Sequence, residues 1–308
     1  MISQLSRVVS SQLGNVSLEK PTRPMAWRFM KLTSRFHSLR GLMVRLTGTP
    51  AKALESDQET FFPNIDVNAC VEGLRMQGHS GGFELPPRIY SKIYKYALST
   101  PCFANGHPKN RFLIENAEEM RRRIGAFGTA NYFYTQDCTA IAALAKDPVL
   151  ISIAHHYFGT QPFLLGTLMW WSFPIDADRN TKSKHAQLFH FDMDDYKFIK
   201  FFFYLEDVSE ESGPHVVVRG THRHKALRHQ FLLRRFPDAE IETTYGLDNI
   251  VKLCGAAGTG FVEDTFCFHK GLTPISHRRL LLQIAFGVND FRTLSDERFD
   301  RLQLYQDR

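Results

Sequence analysis

Apolar positions along the chain change their period. From Trp27 to Leu46, the residues Phe29, Leu32, Phe36, Leu39, Met43 and Leu46 recur at alternating spacings of three and four, lining one face of a helix while arginines take much of the rest. Thr47-Gly-Thr-Pro50 ends that pattern, and an acidic, polar linker follows to about residue 60. Between Ile65 and about Gly159 helical spacing dominates: Val67 to Gln77, Pro87 to Leu98, Ala117 to Ile124, Cys138 to Ala145 and Pro148 to Phe158. After Gly159 the pattern becomes short aromatic and β-branched runs between Gly, Pro and polar turns. These are Phe163 to Phe173, Leu188 to Asp192, Phe198 to Leu205, His215 to Arg219, Gly260 to His269 and Arg279 to Phe286. Strands joined by non-helical connections predict a sandwich or jelly roll, so the expected fold is mainly β with α.

This organisation divides the chain into a basic extension over 1–55, carrying the amphipathic helix, and one domain over 56–308. Within the latter a helical layer (about 65–159) precedes a jelly-roll core (about 160–291). Residues 1–24 are polar and Ser-rich, with little order expected.

Charge changes the picture in one place. The formal +6 is concentrated in residues 1–52, where nine Lys and Arg face the single acid Glu19, leaving the rest of the chain slightly acidic. The body is therefore not basic, and no nucleic-acid partner is expected. The basic helix over 27–46 is read first as docking on its own domain, second as a peripheral contact with an anionic membrane or a partner, and third as a cleavable organellar presequence. Five scattered cysteines without a Cys-x-x-Cys pair read as reduced thiols. With no apolar run of transmembrane length and no signal-peptide core, the expected location is cytoplasmic.

The candidate chemistry lies in Gln187-Leu-Phe-His-Phe-Asp-Met-Asp-Asp195. On a strand, residues two apart share a face, so His190 and Asp192 converge on one point as metal ligands. Phe261-Val-Glu-Asp-Thr-Phe-Cys-Phe-His269 brings a second histidine from a distant strand. Two histidines and a carboxylate on one side of a metal is the arrangement of non-haem Fe(II) oxygenases. A 2-oxo dicarboxylic acid chelating that metal needs a cation for its far carboxylate. Arg278 and Arg279, at the start of the last strand, both offer a guanidinium fork. Lys200, alone in an apolar strand, is a further candidate for an anionic co-substrate, since burying an unpaired ammonium is costly. Asp194 and Asp195 are expected at the rim of the barrel or in structural roles. His155-His156 cannot share a metal, because adjacent helix positions point about 100° apart. Trp170 and Trp171 point to opposite faces, so one is expected to line a pocket while the other packs. Phe198 is a weaker candidate for the same apolar pocket.

The ordered series Phe189-His-Phe-Asp192, Lys200-Phe-Phe-Phe-Tyr-Leu-Glu-Asp-Val208, Ser212-Gly-Pro-His215, Arg219-Gly-Thr-His222, Asp264-Thr-Phe-Cys-Phe-His-Lys-Gly271 and Arg279 resembles the phytanoyl-CoA dioxygenase family, over Ile65 to about Phe291. The resemblance implies a double-stranded β-helix (jelly roll, cupin-like) with a packed helical layer, using Fe(II), O2 and 2-oxoglutarate on small molecules. It matches His190, Asp192 and His269 to the iron ligands. It favours Arg279 over Arg278 as the 2-oxoglutarate anchor, because Arg279 directly precedes the run Leu280 to Phe286. Several members carry a serine two residues after the distal histidine. Here that position is Gly271, and Thr273 or Ser276 is expected to substitute. Halogenating members lack the carboxylate ligand, so the presence of Asp192 points to hydroxylation or a related oxidation. Two rival readings are a divalent-metal hydrolase or isomerase on the same ligands and a non-catalytic ligand-binding jelly roll. Substrate identity and oligomeric state are not readable from the sequence.

Overall fold

The computed structural model describes residues 25–50, 59–175, 188–232 and 234–291. Its centre is an antiparallel sheet of eight strands in the order β1-β9-β6-β11-β5-β4-β2-β3, faced by a three-stranded sheet β10-β7-β8. The strands of the large sheet are β1 (His79–Glu84), β2 (Cys102–Ala104), β3 (Arg111–Phe112), β4 (Thr129–Asn131), β5 (Phe163–Ser172), β6 (Phe198–Tyr204), β9 (Thr259–Glu263) and β11 (Arg279–Gly287). Those of the small sheet are β7 (His215–Val218), β8 (Ile250–Leu253) and β10 (His269–Gly271). This is the jelly-roll core, mixed with α, that the sequence predicts.

Strands β6 and β11 are buried along their whole length, which is why they read as continuous apolar runs rather than as alternation. β11 is the spine: it pairs with β5 from Arg279↔Ser172 onward and with β6 from Leu281↔Tyr204 onward. The run Gly260 to His269, expected as one strand, is two. Thr259–Glu263 belongs to the large sheet and His269–Gly271 to the small one, so residues 264–268 carry the chain from one sheet to the other. Leu188 to Asp192 forms no regular strand. Only isolated bridges occur there, Phe189↔Phe236 and His190↔His269.

The N-terminal layer is helical where expected, but its connections supply β1 to β4 to the large sheet. Short strands of two to six residues leave no period to read, and their pairing is tertiary. The expected helix over 27–46 is broken at residues 34–36 into α1 (Met25–Thr33) and α2 (His37–Thr47). The face that turns inward carries Met30, Thr33, Arg40 and Val44. Phe29, Leu32, Phe36 and Leu46, half of the apolar stripe or more, are exposed.

The next helices, α3 (Val67–Gln77), α4 (Pro87–Ser99), α5 (Ala117–Ile124), α6 (Thr139–Leu144) and α7 (Pro148–Phe158), fall within two residues of their expected bounds. Their ends carry the chemistry that stops a helix. Asp66 accepts from the Ala69 N–H at the start of α3, and Asp147 accepts from Val149 and Leu150 at the start of α7. Gly78 closes α3 in the left-handed region (φ 85°), and a Cβ there would lie 2.2 Å from the Cys267 Sγ. Glycine at this position thus lets α3 approach the 264–268 crossing segment. Between β7 and β8 lie two short helices, α8 (Leu227–Phe231) and α9 (Asp238–Tyr245). No helix among the described residues is long and apolar enough to cross a membrane. Residues 1–24 and most of the linker lie outside the described residues.

Candidate active site

The metal-ligand candidates meet where the two sheets come closest. His190 and His269 form an antiparallel bridge, exchanging His190 N–H to His269 O (3.0 Å) and His269 N–H to His190 O (2.8 Å). Their rings are therefore neighbours, with centroids 4.3 Å apart. The Asp192 N–H donates to Thr265 O at 2.8 Å, which fixes the third residue on the crossing segment. The side-chain ligand atoms of His190, Asp192 and His269 all lie within 4.8 Å of one another.

Each imidazole is held through Nδ1 to the carbonyl two residues before it, His190 to Leu188 O (2.9 Å) and His269 to Cys267 O (3.0 Å). A carbonyl only accepts, so Nδ1 carries a proton in both rings and Nε2 is the nitrogen left on the side of Asp192. Asp192 completes the group, its Oδ1 3.9 Å from His190 Nε2 and its Oδ2 3.5 Å from His269 Nε2. Burial opposes the Asp192 charge, but Lys200 and the two imidazoles overcome it and hold the carboxyl well below the usual range. Burial, aided by His269, holds His190 well below its ordinary value. His269 is pulled the other way: burial opposes its charge, but Asp192 and Glu263 outweigh burial and raise its pKa, so a metal would take the place of a proton there. Two imidazoles and one carboxylate fit a divalent cation.

Lys200 does not reach for a co-substrate. Its amine sits 2.7 Å from Asp192 Oδ2 and 2.8 Å from Asp194 Oδ2, so it aligns the carboxylate ligand instead. A further buried pair, which the sequence did not disclose, supports the group from behind: His215 Nε2 lies 2.6 Å from Glu263 Oε2, and the His215 ring stacks on His269 at 5.5 Å. Burial pushes the Glu263 carboxyl up to about 8. Asp195 is fully buried and accepts from the Tyr196, Val288 and Asn289 N–H groups, a structural role that ties β11 to the segment before β6.

A cavity of about 860 Å³ opens on the three ligands. Arg279 lines it, donating to Gly213 O and, at 3.2 Å, to Ser172 Oγ, while its buried Nε has no hydrogen-bond partner. No carboxylate among the described residues pairs with it. Arg278 points to the other side of the sheet, its guanidinium 4.5 Å from the Trp171 ring centroid and 3.7 Å from Glu206. At Gly271 a Cβ would already lie 3.0 Å from Arg279 Nη2, so the missing side chain gives the guanidinium its room. The expected substitutes lie elsewhere: Ser276 is exposed and bonded to Glu211 and His277, and Thr273 does not line the cavity. The hydroxyl beside Arg279 is that of Ser172.

Trp170 lines the cavity, whereas Trp171 is fully buried with its indole N–H on Tyr132 Oη at 2.7 Å. Phe198 is a correction: it packs against Phe266 at 5.0 Å in a separate apolar cluster and does not reach the cavity. Sequence reasoning missed Arg235, a second guanidinium in the cavity, whose buried Nη1 lacks a partner. It also missed Asn105, Thr129 and Asn131, which line the cavity with Phe127 and Phe133.

A jelly roll with two histidines and a carboxylate grouped for a metal, and an uncompensated arginine in the same cavity, defines the non-haem oxygenase class. The chain belongs to the phytanoyl-CoA dioxygenase (PhyH) family, whose sequence model matches residues 110–279. It is thereby an enzyme of the Fe(II)/2-oxoglutarate-dependent oxygenase class. No curated protein matches the chain. Among solved structures it is similar to HygX from Streptomyces hygroscopicus with nickel and 2-oxoglutarate bound (14% identity, TM-score 0.48, covering 74% of this chain and 88% of that one). EctD from S. alaskensis with bound Fe is similar at 14% identity and TM-score 0.47, covering 79% and 86%. AviO1 from Streptomyces viridochromogenes Tue57 follows at 14% identity and TM-score 0.46, covering 75% and 96%.

Proposed function

We propose that the chain hydroxylates an aliphatic C–H bond of a small molecule, with 2-oxoglutarate and O2 converted to succinate and CO2 and one oxygen atom delivered to the substrate. His190, Asp192 and His269 would hold Fe(II), and Arg279 the far carboxylate of 2-oxoglutarate. Bound iron supplies O2 activation at the positions that three protein ligands leave open. The observation that carries the reading is Arg279: a buried guanidinium without a carboxylate, in the same cavity as the ligand group, is the cation a dicarboxylic co-substrate needs. A hydrolase on the same ligands has no use for it.

The remaining residues position and protect. Backbone carbonyls fix both imidazoles by Nδ1, and Lys200 keeps Asp192 ionised. Phe202, Leu281 and Trp170 give the cavity apolar lining that excludes water. Asn105, Thr129 and Asn131 add polar groups to the same cavity, which suits a substrate of mixed polarity rather than a bare hydrocarbon.

Succinate release from 2-oxoglutarate, with Fe(II) and O2 and no added substrate, tests the reading at its slow uncoupled rate. At a fixed, subsaturating 2-oxoglutarate concentration Arg279→Ala should lower it on the order of 100-fold and Arg278→Ala should leave it within about twofold. Equal loss in both variants would contradict the assignment.

A further inference from the structure

Beneath α2 lies a second cavity, of about 450 Å³, that shares no lining residue with the metal cavity. Five cations line it, Arg40 and Arg45 from α2, Arg75 from α3, Lys197 and Arg223, against one carboxylate, Asp264. Asp264 is already engaged, accepting from Tyr157 Oη at 2.7 Å and from the Phe266 N–H at 3.0 Å. None of the five cations forms an ion pair with a described residue. Four of them are anchored on neutral backbone oxygens instead: Arg40 on His222 O (2.6 Å), Arg75 on His156 O (3.1 Å), Arg223 on Arg75 O (3.3 Å) and Lys197 on Tyr157 O. Such contacts orient a charge without cancelling it.

Arg40 makes the point sharpest. It is 8% exposed, stacked 3.8 Å from the Phe266 ring centroid, and it occupies the inward side of a helix whose apolar residues partly face solvent. Lys197 is half-buried beside it, and Arg45, Arg75 and Arg223 are exposed around the mouth; gathering like charges about a buried guanidinium is unfavourable unless an anion joins them. A net charge of several units calls for a multiply charged partner, and guanidinium forks match phosphate oxygens two at a time. A phosphate ester carries close to two charges at neutral pH.

We propose that this cavity binds a phosphate-bearing ligand, a site distinct from the catalytic centre that fastens α2 to the domain. Free phosphate and a lipid headgroup share this chemistry, and Leu42 and Leu46 of α2 are exposed on the same helix, so both sources are tested.

The experiment titrates the full chain with inorganic pyrophosphate by calorimetry and, in parallel, sediments it with phosphatidylcholine vesicles with and without phosphatidic acid. Arg75→Glu/Arg223→Glu is compared with a charge-matched control, Arg88→Glu/Arg122→Glu, on exposed helix positions outside the cavity. Saturable pyrophosphate binding, weakened at least ~10-fold by the cavity pair and within about twofold of wild type in the control, is the expected result for a free phosphate. Binding only to phosphatidic acid vesicles, with the same pattern of variants, supports the site with a lipid source. Should the double variant not fold, Lys197→Gln gives the same comparison. Absence of binding to both probes, or equal loss in cavity and control variants, would overturn the proposal.

Discussion

Lys197 and Lys200 stand three residues apart at the start of one strand and meet opposite fates. Lys200 is buried between Asp192 and Asp194, and although burial opposes its charge the two carboxylates raise its pKa above the ordinary lysine value. Lys197 enters the basic cavity, where burial, opposed by Asp264 and aided by Arg75 and Arg40, pushes it down to about 8. The residue type is the same; the partner decides. On one side of the strand the protein has matched its charges around a place for a cation, and on the other it has left cations unmatched. Unmatched charge in a formed cavity is the signature of a missing ligand, and it appears twice, at Arg279 and around Arg40.

The largest expected effect breaks the matched side. Lys200→Met leaves Asp192 and Asp194 facing each other and should lower stability by about 3 kcal/mol, measured by denaturant unfolding. Because the folded pKa of Lys200 is raised, its contribution is complete at neutral pH and is lost only as pH rises through that value. A divalent cation should restore much of the loss, since it takes over the role of counter-charge, so Mn(II) should raise the Tm of Lys200→Met more than that of wild type.

Next in size is the arginine that the co-substrate would match. Arg279→Ala should weaken 2-oxoglutarate on the order of 100-fold, the loss of two charge-assisted hydrogen bonds, read from the KM for succinate formation. Arg235→Ala should weaken it less, by about threefold to tenfold, because that guanidinium lies at the opposite end of the ligand group beside Asp192.

The smallest effect has the opposite sign. The folded pKa of Lys197 is depressed, so between about pH 8 and the ordinary lysine value the unfolded chain binds more protons and stability from this group rises with pH. Lys197→Met should therefore raise Tm at pH 7 and lose that advantage by pH 10. A Tm gain that does not vary with pH would mean that packing, not charge, sets the effect.

Much of the candidate site was legible because its signals are local. A spacing of two puts His190 and Asp192 side by side even though their segment is only an isolated bridge, and the segment Phe261 to His269 ends at the partner histidine. Strand parity says only that Arg278 and Arg279 face opposite sides; the preference for Arg279 rests on its place directly before the run Leu280 to Phe286. Helix bounds at α3, α5 and α7 were legible from the apolar period, and the structure adds Asp66 and Asp147 as caps at two of them. What could not be read depends on contacts between distant segments. Glu263 is invisible as a partner until β9 is placed beside the small sheet, and Arg235 enters the cavity only through the bridge of Phe236 to Phe189. Period alone could not tell which face of α1 and α2 would turn inward. A stripe of Phe and Leu predicts burial, yet Arg40 takes the inward position and the cavity beneath it explains why.

The central claim is that His190, Asp192 and His269 hold Fe(II) and present it to 2-oxoglutarate at Arg279. Anaerobic addition of Fe(II) and then 2-oxoglutarate should produce the weak visible charge-transfer band of the chelate in wild type, and no band in His269→Ala with the fold intact. A folded wild-type protein without the band, or a band that survives in His269→Ala, would contradict the account.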